Sequence, residues 1–259
     1  MLSGYAKTEW MTIIVIGLLL CAASLLIGLW WLSIPIVLLV IALVLFFRDP
    51  DRRVPTQRGV MVAPADGRIS SIHEVERFEP FDEPATCIRI FLSVLDVHVN
   101  RSPVHGVVES ITHTPGKHLN ALNPQSAEDN ESNLIVLVHP IRRKPVAALR
   151  QVAGLLARTI VCRTHEGMVL QRGQRLGIIK LGSTAEVYIP ESMNPTVQVN
   201  QGDYVWGGQT ILAHVVSNDR PVPEEAMATQ KQPAEPQSSE AATPAKPQAE
   251  ANSAASASD

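Results

Sequence analysis

Hydrophobic side chains are distributed along this sequence in three contrasting ways. From Trp10 to Phe47, 38 consecutive positions carry no charge and are dominated by Leu, Ile, Val and Ala. About 20 apolar residues, rising about 1.5 Å each, carry a helix across a bilayer, so this run is too long for a soluble core helix. It is also too long for the apolar core of a signal peptide, and no small-residue cleavage site closes it. Gly28, Trp30, Trp31, Ser33 and Pro35 interrupt its middle. Proline removes an amide donor, and tryptophan favours the membrane interface. The pattern predicts either two short apolar helices meeting near residues 30–35 or one long kinked helix. Two helices would return the chain to the side it came from, with the second piece short for a full crossing. Arg48, Arg52 and Arg53 follow the run and only Lys7 precedes it. The positive-inside rule then puts the C-terminal part on the cytoplasmic side of the cell membrane. Residues 1–52 read as a membrane anchor.

Over residues 53–218 the pattern changes. Stretches such as 87–92, 134–138 and 185–189 are short, rich in β-branched residues and bounded by Gly, Pro, Asn or Asp, which are strand signals. The best helix candidate is short, around residues 126–130. A mostly-β domain of roughly 165 residues is expected, large enough for its own core. Within it, Glu-Gly-Met-Val-Leu-Gln-Arg-Gly-Gln at 166–174 can be laid on Gln-Gly-Asp-Tyr-Val-Trp-Gly-Gly-Gln at 201–209, an offset of 35 residues. Gly167 then matches Gly202, Gly173 matches Gly208 and Gln174 matches Gln209. Each copy reads as turn, short strand, turn, with glycine supplying positive φ. That arrangement resembles the hammerhead strands of biotinyl- and lipoyl-like barrel-sandwich domains. Residues 219–259 form the third region. Beyond Arg220 there are six prolines and eleven alanines, and the only sizeable apolar side chains are Val222 and Met227. Such a tail cannot bury enough surface to offset its ordering entropy, and it is expected to be disordered.

Charge and cysteine content narrow the function classes. A net charge of −3 leaves no excess of Lys and Arg to neutralise phosphates, so a nucleic-acid partner is not expected. Cys21, Cys87 and Cys162 lie far apart and suggest neither a disulfide framework nor a zinc site. The histidines at 98, 105, 113 and 118 fit no zinc spacing, so no metal is expected. Walker A, His-Glu-x-x-His and Gly-x-Ser-x-Gly motifs are all missing from the sequence. Taken singly, Asp66 before Gly67 reads as a turn residue, His98 as a histidine in a strand, and Gly182-Ser183-Thr184 as a turn or bulge between apolar strands.

Taken together, five stretches in order change this reading. They are Pro64-Ala-Asp-Gly67, Phe91-Leu-Ser-Val-Leu-Asp-Val-His-Val-Asn-Arg-Ser-Pro103, Pro115-Gly-Lys-His-Leu-Asn-Ala121, Gln151-Val-Ala-Gly-Leu-Leu-Ala-Arg158 and Gly177-Ile-Ile-Lys-Leu-Gly-Ser183. With them the chain resembles the phosphatidylserine decarboxylase proenzymes, of the short pyruvoyl-dependent class, over about residues 48–215. The resemblance implies a lyase made as a zymogen. The Ser183 hydroxyl attacks the Gly182 carbonyl, the resulting ester eliminates, and a pyruvoyl group is left at Ser183 as the cofactor. Two associated chains, 1–182 and 183–259, would result. Glycine at 182 leaves that carbonyl unshielded, and Ser183 needs a base. The family's Asp maps onto Asp66, which would orient that base by triad logic.

Longer members carry Asp-x-His-x-x-His where this chain has Asp96-Val-His98-Val-Asn-Arg101. An arginine cannot serve as the base at neutral pH. His98 is therefore the expected base and the acid that returns a proton to substrate, with His105 and His118 as alternative bases. Arg101 could instead bind the phosphate or carboxylate of the substrate through its planar fork. The implied substrate is phosphatidylserine in the membrane, converted to phosphatidylethanolamine and CO2 for phospholipid synthesis. A lipid with the same serine head group on other tails, such as archaetidylserine, would react identically. The alternative is a membrane-anchored barrel-sandwich adaptor without enzymatic activity, although the long heptad hairpin usual in such adaptors is not seen in the sequence.

Overall fold

The computed structural model describes residues 2–117, 119, 129–154, 160–179 and 183–215. Of the helix expected over 126–130, only Asp129 and Asn130 fall among these, and Asn130 bridges to Lys117. The tail expected to be disordered lies outside the described residues.

The apolar run folds as two helices, α1 (Lys7–Leu26) and α2 (Ser33–Phe46). Gly28 turns the chain between them at φ 78°. Pro35 falls in the first turn of α2, where a missing amide costs nothing. The helices pack closely enough that a Cβ on Gly17 would sit 2.3 Å from the Val40 side chain. The Ser24 and Ser33 hydroxyls lie 3.0 Å apart near the turn. At the open end, the Ser3 amide donates to the Phe47 carbonyl at 2.8 Å, so the hairpin starts and finishes on one side. The segment Gly4–Leu26 is long and apolar enough to cross a membrane. Its outer side chains stand clear of the protein, Leu18 being 66% and Leu26 88% exposed. At about 1.5 Å per residue, the 14 residues of α2 reach only about 21 Å.

The remainder is β-structure, as the short β-branched stretches predict. Strands β1 (Val60–Val62), β2 (Gly67–Phe78), β3 (Glu83–Leu92), β4 (Val99–Arg101), β5 (Gly106–Thr114), β6 (Ser132–Val138) and β7 (Pro145–Val152) come first. Then follow β8 (Ile160–Cys162), β9 (Val169–Leu170), β10 (Arg175–Ile179), β11 (Ser183–Pro190), β12 (Thr196–Val197), β13 (Tyr204–Val205) and β14 (Ile211–His214). Eight of them form one curled antiparallel sheet in the order β13-β2-β3-β11-β7-β6-β5-β9. The orders β1-β14-β12 and β4-β10-β8 make two smaller sheets. Alternation along β11 sends Ala185, Val187 and Ile189 into the main core with Ile90, Leu137 and Leu149. Tyr188, on the opposite face, packs with Phe81, Cys87 and Ala148.

The sequence repeat is the visible part of a wider internal symmetry. Gly167 and Gly202 have φ of 82° and 95°, while Gly173 and Gly208 both have φ 75°. The Gly173 amide donates to the Ser102 carbonyl, and the Gly208 amide to the Ala63 carbonyl. Upstream, Pro64-Ala-Asp-Gly67 and Pro103-Val-His-Gly106 occupy matching places. Gly67 pairs with Val205 of β13, and Gly106 with Leu170 of β9. The Arg101 amide donates to the Pro64 carbonyl, and the Val62 amide to the Pro103 carbonyl.

The anchor and the β domain meet earlier than the sequence boundary at residue 53. Ala6, Phe46 and Phe47 bury themselves against Val97, Val99 and Ile178. The base of the hairpin is thereby part of the domain's interior.

Candidate active site

Strand register brings Asp66 and Ser183 to one end of the large sheet. Arg68 of β2 lies opposite Phe91 of β3, and Phe91 opposite Thr184 of β11. One step back, Ser183 opens β11 opposite Leu92, and Gly67 opens β2 just after Asp66. Two strand spacings, about 10 Å, separate β2 from β11. Gly67 has φ 154°, and a Cβ there would fall 2.2 Å from the Phe91 carbonyl oxygen. Glycine after Asp66 is thus required by the close approach of β3, and it fixes the aspartate at the sheet's end.

Ser183 is fully buried, and its hydroxyl is one of three buried polar side-chain atoms without a hydrogen-bond partner among the described residues. An unmade hydrogen bond at a buried hydroxyl is costly. Buried hydroxyls are seldom left this way, so the group calls for an explanation. Another of the three is the Asn100 amide nitrogen. The Asn100 carbonyl oxygen accepts from Gln151 at 2.7 Å, and the Gln151 carbonyl oxygen accepts from Asn133 at 3.1 Å. Gln151 lies opposite Ala185, so it shares the inner face of the sheet with Ser183 two residues along. Sequence reasoning missed this buried amide relay. The available signal was a set of amide side chains at inward positions of otherwise apolar strands.

His98 is fully buried just before β4, and three residues of chain connect its neighbourhood to Ser183. The Ile179 amide, at the end of β10, donates to the His98 carbonyl, and β11 begins at residue 183. Four Cα–Cα steps limit the separation of residues 179 and 183 to about 15 Å. The His98 Nδ1 lies 2.9 Å from the Asp96 carbonyl oxygen. That oxygen can only accept, so Nδ1 carries the proton and Nε2 the lone pair. The ring of Phe46, from the hairpin base, lies 4.4 Å from the imidazole. Burial lowers the His98 pKa to about 4, against the smaller pull of the Asp96 carbonyl. The imidazole is neutral at pH 7, as a base requires.

The expected Asp66–His98 contact is not what orients the imidazole. One Asp66 oxygen accepts from Arg52 at 2.6 Å and the other from the Gly207 amide at 2.7 Å. Burial pushes the Asp66 carboxyl up, opposed by the Gly207 amide and by Arg52. The Asp96 carbonyl is what holds Nδ1. Arg52 also donates to Gln209 and lies 5.5 Å from the Trp206 ring centre. Arg52, Trp206, Gln209 and Thr210 line an open depression of ≈ 440 Å³, and Ser183 does not reach it.

Arg101, offered by the sequence as a substrate ligand, has protein partners instead. It is buried, and its guanidinium donates to Asp49 at 2.9 Å, to the Gly173 carbonyl at 3.1 Å and to the Pro50 carbonyl at 3.1 Å. Arg175 donates to the second Asp49 oxygen at 2.6 Å. Asp49 thereby pins the segment after the hairpin into the β domain. Removing one member of a buried pair typically costs about 3–5 kcal/mol. Asp49→Ala, which leaves Arg101 buried and unpaired, is expected to lower the melting temperature by about 6–20 °C at about 2–4 °C per kcal/mol. An unchanged melting curve would mean that water replaces the carboxylate.

His105 lies toward the opposite end of the sheet from Ser183. It precedes Gly106, and β5 pairs its next residue, Val107, with Val138 at the far end of β6. The Ser183 end of that strand is Ser132, opposite Val152. Six steps of β6, about 20 Å, separate the two ends. The symmetry explains this, since His105 is the counterpart of Asp66 at the opposite end. His118 and Gly182 lie outside the described residues.

The family model described as phosphatidylserine decarboxylase matches residues 39–213, beginning inside α2 and ending inside β14. A phosphatidylserine decarboxylase proenzyme of Oleidesulfovibrio alaskensis is 45% identical over 204 residues, covering 77% of this chain and 90% of its own length. One from Nitratidesulfovibrio vulgaris is 43% identical, covering 73% of this chain and 84% of its own. One from Ralstonia nicotianae is 41% identical, covering 78% and 90%.

Proposed function

The chain belongs to the phosphatidylserine decarboxylase family, and from that premise we propose that it cuts itself before Ser183 and then decarboxylates phosphatidylserine to phosphatidylethanolamine. The observation that carries this reading is the buried Ser183 hydroxyl at the start of β11, without a hydrogen-bond partner among the described residues and four residues beyond the strand end that binds the His98 carbonyl.

Self-cleavage needs a nucleophile without competing partners and a neutral base. Ser183 supplies the first. His98 supplies the second, with its Nδ1 proton held by the Asp96 carbonyl. The serine oxygen bonds to the Gly182 carbonyl carbon as its proton passes to Nε2, and the peptide bond gives way to an ester. Elimination removes the proton from the serine Cα, forms a Cα=Cβ double bond and breaks the bond between Cβ and its oxygen. It releases residues 1–182 as a carboxylate, and hydrolytic loss of ammonia completes the conversion.

The residues around Ser183 suit the pyruvoyl group that this would leave. Leu92 opposite it is fully buried and apolar, and the Asn100 amide nitrogen is a donor without a partner among the described residues. A pyruvoyl group supplies an electrophilic carbonyl, a sink for the electron pair left when CO2 departs. His98 Nε2 takes up a proton shed by the substrate's ammonium group and returns it to the substrate carbon that lost the carboxylate. The hairpin keeps the domain beside the lipid, and the arginines that follow it favour the cytoplasmic face.

Two measurements test the reading on the purified full chain. Intact mass is expected to show two chains, with residues 183–259 resistant to Edman degradation. Phosphatidylserine labelled in its carboxylate is expected to release labelled CO2. A single uncut chain that releases none would overturn the proposal.

A further inference from the structure

The turn between β3 and β4 has an unusual tip. The Asp96 amide donates to the Ser93 carbonyl at 3.0 Å, and the Asp96 carboxylate accepts the Ser93 amide at 2.7 Å. Val94 and Leu95 therefore occupy the two central positions of a tight, doubly tied turn. Such positions favour Gly, Pro, Asn, Asp and Ser. Here they hold two aliphatic side chains, 44% and 81% exposed. Nothing in the turn's geometry asks for them.

The surroundings indicate what they face. Arg48, the second residue after α2, donates to the Leu95 carbonyl and, at 3.2 Å, to the Leu45 carbonyl in the last turn of α2. One guanidinium thus ties the tip to the level at which the apolar helix ends. On the other flank, the Tyr204 hydroxyl donates to Asp96 at 2.6 Å. The Tyr204 ring meets that of Trp206 edge-on at 5.0 Å, and Trp206 is half exposed. Exposed aliphatics, then Tyr and Trp, then arginine, continuous with an apolar hairpin, is the sequence of chemistries met on crossing from acyl chains to head groups.

We propose that Val94, Leu95, Tyr204 and Trp206 form a second membrane contact, seated at the head-group–acyl boundary beside the hairpin. This contact sets the depth and tilt of the β domain. The turn that carries it runs from Leu92, opposite Ser183, to His98, so the domain is held with its reactive end against the bilayer. The inference rests on the reading of the chain as a membrane-lipid enzyme, but its first test does not use activity.

In vesicles whose lipids are brominated high on the acyl chain, Trp206 fluorescence is expected to be quenched by about half or more. It is isolated as the difference between the full chain and its Trp206→Phe variant. Equal emission from Trp206 in brominated and plain vesicles overturns the proposal. A second variant, Val94→Glu with Leu95→Glu, is expected to lose about tenfold in turnover of vesicle phosphatidylserine, because it puts charge where apolar area was buried. In detergent micelles it is expected to match the parent. Equal loss in both settings, or none in vesicles, overturns the contact. So does a shift from dimer to monomer in detergent, which would make the patch an interface between copies. A parent chain that decarboxylates in neither setting refutes the enzyme reading, and the quenching result still decides the surface.

Discussion

Ser183→Ala is expected to remain one chain of 259 residues and to release no CO2. The substitution removes one oxygen from a fully buried site, and that oxygen has no hydrogen-bond partner among the described residues to lose. Deleting an unsatisfied buried polar atom does not destabilise a fold. The apolar surroundings, Leu92 opposite and Ala185 two residues along the same face, accept a methyl group. A melting curve equal to or slightly above that of the parent is therefore expected, which separates lost chemistry from lost structure. Activity should fall to the uncatalysed background, because both the nucleophile of self-cleavage and the precursor of the carbonyl sink are gone. Denaturing electrophoresis after expression reads the first effect, and labelled CO2 the second. Cleavage at residue 182 in this variant would remove Ser183 from the mechanism.

The parts of the molecule legible in the sequence are those encoded by local pattern. An uncharged run of 38 residues reads as apolar helix, and its interruption near residues 30–35 leaves two helices or one kinked helix open until the fold is seen. Short β-branched stretches gave the strands, and the glycine spacing gave two hammerhead turns whose φ values match in pairs. Asp66 and Ser183 stand out as motif residues, and both lie at one end of the large sheet, two strand spacings apart. What stayed hidden depends on register and long-range pairing. Arg101 and Asp49 are 52 positions apart, and Arg175 and Asp49 are 126 apart. No spacing rule links such residues, so Arg101 read as a free cation. Nothing local separates His105 from His98 either. Only the pairing of Val107 with Val138 puts His105 at the wrong end. Asp66 was assigned to His98 through triad logic, whereas the folded chain gives it Arg52, a residue counted in sequence as part of the anchor.

That last point unites the hairpin with the chemistry. The family match begins at residue 39, inside α2, not at the first strand. Phe46 covers His98, Asp49 neutralises Arg101 and Arg52 neutralises Asp66. The residues that follow the apolar hairpin thus complete the interior of the β domain. An anchor joined by a flexible linker would leave His98 hydrated. Here burial lowers its pKa to about 4.

Self-cleavage is accordingly expected to be independent of pH between about 5 and 8 and to slow as pH falls through about 4. A base works in its deprotonated form, which for His98 prevails above about 4. An ordinary histidine would give a midpoint near 6.5. Phe46→Ala opens the imidazole to water and is expected to move the midpoint upward, toward that ordinary value. His98→Ala should slow cleavage by about 10²–10⁴-fold, the usual worth of a general base. The sign of the accompanying stability change is fixed by linkage. Since the folded-state pKa lies below the unfolded one, the unfolded chain binds the proton more tightly. Stability is complete above about 6.5 and is lost as pH falls toward 4, by about 3 kcal/mol. His98→Ala should lose that part of the pH dependence. Cleavage can be timed on freshly synthesised precursor across the pH series, and unfolding on the uncut Ser183→Ala chain. A cleavage midpoint near 6.5 in the unmodified precursor would show that His98 is hydrated when it acts, and a pH profile unaltered in His98→Ala would assign the base to another residue.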